Sequence, residues 1–178
     1  MILRSTARYT PVVTKKTIPQ ILESIDNYNF SYEITADEDN YKILGSYIPN
    51  QTVFEYDNQT YLISDNTYIV NDELLEETVN PLGIDLSKLN IKNIYNLIKD
   101  KEPLYENEKD EIKTTVYKVG MNEFNQMMNK EIESSDYIEI NINTKSNNYK
   151  SINIDLTKYM NQEELRYRNY NINISLSS

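Results

Sequence analysis

The side chains available for chemistry in this sequence are carboxylates, lysines, tyrosines and serines, because both histidine and cysteine are absent. Without them the chain cannot build a His-based triad, a cysteine nucleophile or a typical zinc site. No S-x-x-K or G-x-S-x-G spacing occurs, and 3 glycines do not supply a phosphate-binding loop. The sequence therefore predicts a non-catalytic protein without a cofactor.

Acidic stretches are the candidates for cation binding. Residues 37–40 offer oxygens of the kind that Ca²⁺ takes, but they lack the spacing and the glycine of a twelve-residue calcium loop. The run at Glu73, Glu76 and Glu77 is typical of a solvated face. No metal site is predicted from either stretch. A hydrolase working through paired carboxylates stays an alternative, and it requires acids that converge in one cleft.

The 16 tyrosines are the group of side chains with the clearest potential to bind a ligand. Tyrosine suits ligand surfaces because it gives a large contact area and keeps a polar tip. It is equally favoured at half-buried strand positions, and this structural interpretation is preferred here. The tyrosines concerned lie in neighbouring predicted strands: Tyr41, Tyr47, Tyr56, Tyr61 and Tyr68.

The charge distribution excludes some partners. A net charge of −10 gives no cationic surface for nucleic acid, which requires clustered lysine and arginine. Residues 1–16 are the exception, since they carry Arg4, Arg8, Lys15 and Lys16 without an acid. We therefore predict a basic stub or linker over residues 1–17 and a single domain over 18–178. No apolar run reaches the ~20 residues of a membrane span, and no signal-peptide core is present.

Alternating polar and apolar residues predict most of the elements. Strands are expected near 28–35, 41–48, 51–56, 59–64 and 67–70, with Asp-Asn turns at 57–58 and 65–66. Helices are expected at 19–25, at 91–98 after the cap residue Asn90, and around Phe124. Further strands are expected at 112–119, 138–142, 152–156 and 170–176, and the charged residues 106–111 are expected to form a loop. This order predicts an α+β fold: a curved antiparallel sheet, half-barrel-like, with two to four short helices packed on one face.

The stretch IYNLIKDKEPLYENEKDEIKTTVYKVGMNEFNQMMN, followed by two alternating isoleucine strands, resembles bacterial cell-envelope lipoproteins of the LolA/LppX type. The resemblance covers residues 18–176 at the level of architecture. It implies a bent half-barrel closed by helices, with space for a lipid between them, and an extracytoplasmic location. The sequence departs from the family in having neither a signal peptide nor a lipobox cysteine. The resemblance then implies a mature or truncated domain of an anchored surface protein, and a cytoplasmic location stays open.

The leading hypothesis is thus a non-catalytic envelope domain that binds a lipid or another amphiphile between sheet and helices. The residues expected to face that ligand are Phe30, Tyr32, Ile94, Leu97, Ile98, Phe124, Met127 and Met128. The alternative from another class is an interaction module in which an exposed edge strand at 170–176 pairs with a partner protein.

Overall fold

Eleven strands form one antiparallel sheet in the part of the chain that the structure describes. The computed structural model describes residues 14–65, 67–78 and 80–177. The strands are β1 (Tyr28–Ala36), β2 (Asp39–Ile48), β3 (Gln51–Tyr56), β4 (Gln59–Ser64), β5 (Thr67–Val70), β6 (Glu73–Leu75), β7 (Tyr105–Lys109), β8 (Ile112–Gly120), β9 (Tyr137–Lys145), β10 (Asn148–Asp155) and β11 (Tyr170–Ser177). The helices are α1 (Ile18–Glu23), α2 (Ile91–Ile98), α3 (Met121–Met127) and α4 (Thr157–Met160), with 3₁₀ turns at Pro81–Gly83 and Leu86–Lys88.

The predicted α+β class, dominated by an antiparallel sheet, is confirmed. The division into residues 1–17 and 18–178 stays a prediction, because residues 1–13 lie outside the described ranges. None of the described helices has the length and hydrophobicity needed to cross a membrane.

The strand order in space is β6-β5-β4-β3-β2-β1-β11-β10-β9-β8-β7. Two meanders, β1 to β6 and β7 to β10, are joined by β11, which pairs with β1 on one side and with β10 on the other. The prediction of an exposed edge at residues 170–176 is therefore wrong, because both sides of that strand are hydrogen-bonded. The edge strands of the sheet are β6 and β7.

Side chains at alternate positions fill the core face of the sheet. One row crosses five adjacent strands in register and is completely or almost completely buried: Ile43, Tyr32, Ile174, Ile152 and Ile142. The asparagines between these isoleucines, Asn141, Asn153 and Asn173, form a parallel row on the other face. The alternation of isoleucine with asparagine thus decides which face of the sheet is buried.

Two tyrosines of β1 hold the 3₁₀ turn at Leu86–Lys88 and the start of α2 against the sheet. The Tyr32 hydroxyl donates to the carbonyls of Leu86 and Leu89, at 3.3 and 3.1 Å. The Tyr28 hydroxyl accepts the N–H of Ile91 at 2.9 Å, which satisfies one of the free donors of the first helical turn. The position of α2 over the core is therefore fixed by hydrogen bonds as well as by its apolar face.

Left-handed residues close the hairpins. The predicted turn at Asp57–Asn58 has both φ angles positive, at 50° and 60°, as a type I′ turn requires. Asp65 has φ 43°, but its predicted partner Asn66 lies outside the described residues. An additional turn, Asn71–Asp72 with φ 49° and 66°, joins β5 to β6. Aspartate and asparagine tolerate this backbone because their short polar side chains bond locally.

Substitution of Asp72 by glycine is expected to stabilise the protein by about 0.5–1 kcal/mol, because it gives an Asn-Gly pair with the backbone that a type I′ turn favours. Thermal unfolding followed by circular dichroism measures the change. The matched control is Asp72→Ala, which removes the same charge but keeps a Cβ in the left-handed region. If alanine stabilises the protein as much as glycine, charge and not backbone strain is responsible.

One charged stretch forms a strand where the sequence predicts a loop. Residues 106–111, expected to be a loop, contribute to β7 and to the turn that follows it, so that prediction is wrong. All five residues of β7 are exposed, so the strand has no apolar alternation to reveal it. Backbone pairing with β8 forms the strand instead. Its charged side chains are of the kind that protects an edge strand from aggregation.

Candidate ligand-binding site

The side chains predicted to face a ligand lie in the core or against it. Phe30, Tyr32, Ile94, Ile98, Phe124 and Met128 are buried, and the half-buried Leu97 and Met127 pack against the same cluster. The Phe30 ring stacks on Tyr32 with centroids 4.3 Å apart, and Phe124 meets Tyr159 edge-on at 5.1 Å. These side chains belong to one packed cluster, and none of them lines the cleft described next. Their contact with a ligand stays a prediction.

A cleft of about 510 Å³ opens between α1, the segment that follows α2, and strands β7 to β9. Five lysines line this cleft, which we call the lysine cleft: Lys15, Lys16, Lys99, Lys101 and Lys113. Its apolar lining comes from Ile18, Pro19 and Ile21 of α1, from Pro103 and from Tyr117 of β8, and Glu102 and Glu106 add two carboxylates. An excess of lysines beside apolar side chains makes this an amphipathic site in a chain whose net charge is −10.

Two of the five lysines are already neutralised by carboxylates. Lys101 Nζ lies 2.9 Å from Glu123 Oε1, and Lys113 Nζ lies 2.6 Å from Glu106 Oε1. The hydrogen bond from each lysine is the main cause that lowers the pKa of its glutamate below the ordinary value. Both carboxylates therefore stay ionised at neutral pH and hold their lysines at the cleft wall.

The other three lysines are available to a ligand. Within the described residues, no ion pair involves Lys15, Lys16 or Lys99. The Lys99 ammonium lies 5.9 Å from the centre of the Tyr95 ring, at the outer limit of a cation–π contact. An anion entering this cleft would therefore meet three ammonium groups without having to break an ion pair, and it would also meet the carboxylate of Glu102.

Tyr117 supplies a neutral polar group to the lining of the cleft. Burial, and then the carboxylates of Glu106 and Glu102, raise the pKa of the Tyr117 phenol to about 12. The phenol consequently keeps its proton at physiological pH, so it does not add negative charge to the cleft.

Only part of this cleft is predictable from the sequence. The basic residues Lys15 and Lys16 stand out there, but as part of a stub or linker. Lys99, Lys101 and Lys113 were not singled out, because their charges are diluted by neighbouring acids such as Asp100 and Glu102. Only the folded chain places α1 and the segment after α2 around one cleft with β8, and so brings these lysines together.

The acidic candidates do not form a metal-binding cluster in the part of the chain that the structure describes. Within it, no group of three or more acids could hold a metal ion. The buried carboxylate of Asp85 accepts hydrogen bonds from the Tyr68 hydroxyl at 3.0 Å and from the Ser87 N–H at 3.1 Å. It also accepts the Ser87 hydroxyl. Asp85 thus caps the 3₁₀ turn at Leu86–Lys88, which is a structural role.

Comparisons with known proteins give no family for this chain. No protein-family model matches the sequence, and none of the curated proteins matches it. Solved structures that resemble it include the crystal structure of LprF from Mycobacterium bovis. That alignment covers 90% of this chain and 91% of LprF, at 10% identity and a TM-score of 0.40. Similarity at this level assigns neither a family nor a ligand.

Proposed function

We propose that this protein is a non-catalytic domain of the bacterial cell envelope that binds an amphiphile with an anionic head group at the lysine cleft. In this proposal the sheet bends as a half-barrel and the helices cover its core face. The resemblance to LolA/LppX-type lipoproteins supports the envelope location. Fractionation of cells that produce the protein tests this location, and recovery in the cytosol alone would count against it.

The observation that carries the proposal is that uncommitted lysines and apolar side chains line the same cleft. An acyl chain that covers the half-buried Pro19 and Pro103 would gain roughly 25 cal/mol for each Å² of apolar surface removed from water. The head group would be attracted by Lys15, Lys16 and Lys99, whereas the surrounding acidic surface repels it. Binding should therefore depend on both parts of the ligand and should weaken as salt increases.

Charge reversal at the cleft tests this model. In Lys15→Glu/Lys16→Glu, both altered side chains are exposed, so the fold should persist. We expect decanoate to bind this variant at least roughly tenfold more weakly at low salt, since two attractive charges become repulsive. Isothermal titration calorimetry below the micelle concentration measures the dissociation constant. Decyl maltoside, which has the same chain length and a neutral head, should bind weakly to both proteins.

The matched control is Lys42→Glu/Lys118→Glu, which makes the same change of net charge at exposed positions away from the cleft. This control should bind decanoate within about twofold of the parent protein. Equal affinity of all three proteins for decanoate would refute the head-group site. Equal affinity of the parent protein for decanoate and for decyl maltoside would also refute the head-group site.

A further inference from the structure

The face of the sheet that lies opposite the core is apolar in one half and polar in the other. Four apolar residues, one from each of the strands β3 to β6, are cross-strand partners in a continuous line, which we call the apolar row: Val53, Leu62, Ile69 and Leu74. In the other half of the sheet the same face carries asparagine, as at Asn141, Asn153 and Asn173. An apolar solvent face is therefore a property of one half only.

The apolar row points away from the core. Phe54, Tyr61 and Tyr68 are each adjacent in sequence to a member of the row, and all three are buried in the core. Successive side chains of a strand alternate between the two faces, so the row lies on the opposite face. Within the described residues, none of its four members belongs to the core cluster or packs against it.

Leu44 and Ile48 of β2 extend the apolar surface beside the row. Both lie on the same face, because Ile43 and Tyr47 between them are buried in the core. Both are also diagonal neighbours of Val53, since Ser46 is its direct partner. Leu44 is 54% exposed, Ile48 47% and Leu74 69%. A contiguous apolar surface of six side chains differs from scattered single hydrophobic residues, and it marks a site of association.

The charges on this face indicate the kind of partner. Among the strand residues of β2 to β6 that share the face, Lys42 and Glu55 are the charged ones, and their charges cancel. The whole chain has a net charge of −10, so two copies repel each other in most orientations. Here a second copy meets no like-charge repulsion. A strongly charged partner or an anionic membrane finds no complementary charge on this face.

The geometry of the row is compatible with its own copy. The row runs across the strands, because its members are in register. A two-fold axis parallel to the row and midway between two facing sheets therefore places one row over the other. Aligned sheets pack within about 30° of each other and about 10 Å apart, which lets apolar side chains of both faces interdigitate.

We propose that the apolar row is the contact between two copies of this chain, which pack sheet against sheet in a symmetric dimer. The face formed by β2 to β6 measures roughly 20 Å in each direction, which is less than the ~800 Å² per partner of a standard interface. The dimer is consequently weak, with a dissociation constant on the order of 0.1 mM. This surface lies in the half of the sheet away from the lysine cleft, and the proposal does not depend on amphiphile binding.

Sedimentation equilibrium of the full chain between 10 µM and 1 mM tests the proposal. The apparent mass should rise with concentration from the monomer mass of 21.0 kDa toward twice that value. Association should be stronger in 0.5 M than in 0.05 M sodium chloride, because salt screens the repulsion between two acidic chains. In a mixture of labelled and unlabelled protein, NMR should detect intermolecular contacts of the methyl groups of Val53 and Leu62.

Two variants locate the contact. Leu62→Thr/Ile69→Thr replaces two apolar side chains by a residue that suits strands, and each change occurs twice in a symmetric dimer. Its dissociation constant should rise at least roughly tenfold. Leu44→Ser/Leu74→Ser alters positions that are more than half exposed, so the fold should persist, and its dissociation constant should rise roughly threefold or more.

The matched control is Asn141→Thr/Asn173→Thr, which introduces the same residue on the same face in the polar half. It should dimerise within about twofold of the parent protein. A parent protein that stays monomeric at 1 mM overturns the proposal, as does a dissociation constant that is unchanged in both apolar variants. Intermolecular contacts confined to residues 73–75 would show edge-to-edge pairing of β6 instead. Leu62→Thr/Ile69→Thr should bind decanoate like the parent, so failure of either site is distinguishable from failure of the other.

Discussion

Replacement of Ile174 by aspartate is expected to yield no folded protein. Ile174 is fully buried in β11, between Tyr32 of β1 and Ile152 of β10. An aspartate there would have to be buried without a positively charged partner, at a cost of several kcal/mol even if it becomes protonated. That cost is comparable to the whole stability of a typical domain, about 5–15 kcal/mol. Far-ultraviolet circular dichroism and the yield of soluble protein measure the outcome.

The matched control for this variant is Leu176→Asp in the same strand. Leu176 is 40% exposed, so its aspartate can remain hydrated and the fold should survive with a small loss of stability. A cooperative thermal transition of Ile174→Asp close to that of the parent protein would contradict the central position of β11. Loss of folding in both variants would instead show that the whole strand is intolerant of charge.

Substitution of Gly45 by alanine is expected to destabilise the protein by about 2–3 kcal/mol, the upper part of the range for overpacking. A Cβ at this position would lie 2.7 Å from Cε2 of the Phe30 ring, and it would also meet Cζ of that ring and the backbone carbonyl of Val53. A side chain can rotate away, but a strand carbonyl cannot move without disturbing its neighbours. The melting temperature should fall by roughly 5–12 °C for a chain of this length.

Ser46→Ala is the control for Gly45→Ala, because Ser46 is the next residue and lies on the opposite face of β2. It should change the melting temperature by less than about 2 °C, as is usual for substitutions away from the core. In Gly45→Ala/Phe30→Leu, the smaller side chain removes the ring contact but not the carbonyl contact. Partial recovery is therefore expected, and full recovery would show that the carbonyl is not the obstacle.

Local patterns in the sequence were sufficient for many individual elements. The predicted bounds of β3, β4, β5 and α2 agree with the structure. In each case the signal is short-range: alternation ends at a turn residue such as Asp57, or the helical pattern begins at the cap residue Asn90. Because turn chemistry and side-chain period act over a few residues, they can be interpreted without the rest of the chain.

The arrangement of the elements could not be predicted in the same way. Nothing within residues 170–176 indicates that this strand pairs with β1, more than 130 residues earlier in the chain. The strand β7 cannot be predicted from alternation, because all five of its residues are exposed and none has to face the core. The lysine cleft combines segments that are distant in sequence, so its residues become neighbours only after folding.

The place of β11 in the sheet has a consequence for biosynthesis. On the ribosome, β1 to β10 are made before the strand that joins the two meanders, so β1 and β10 each present an unpaired edge until β11 emerges. Pairing over such a separation is slow, since a long loop must close first. The nascent chain should therefore stay incompletely folded until synthesis of the sheet ends. A nonsense mutation before Tyr170 would leave two open half-sheets, which are suitable substrates for quality-control proteases.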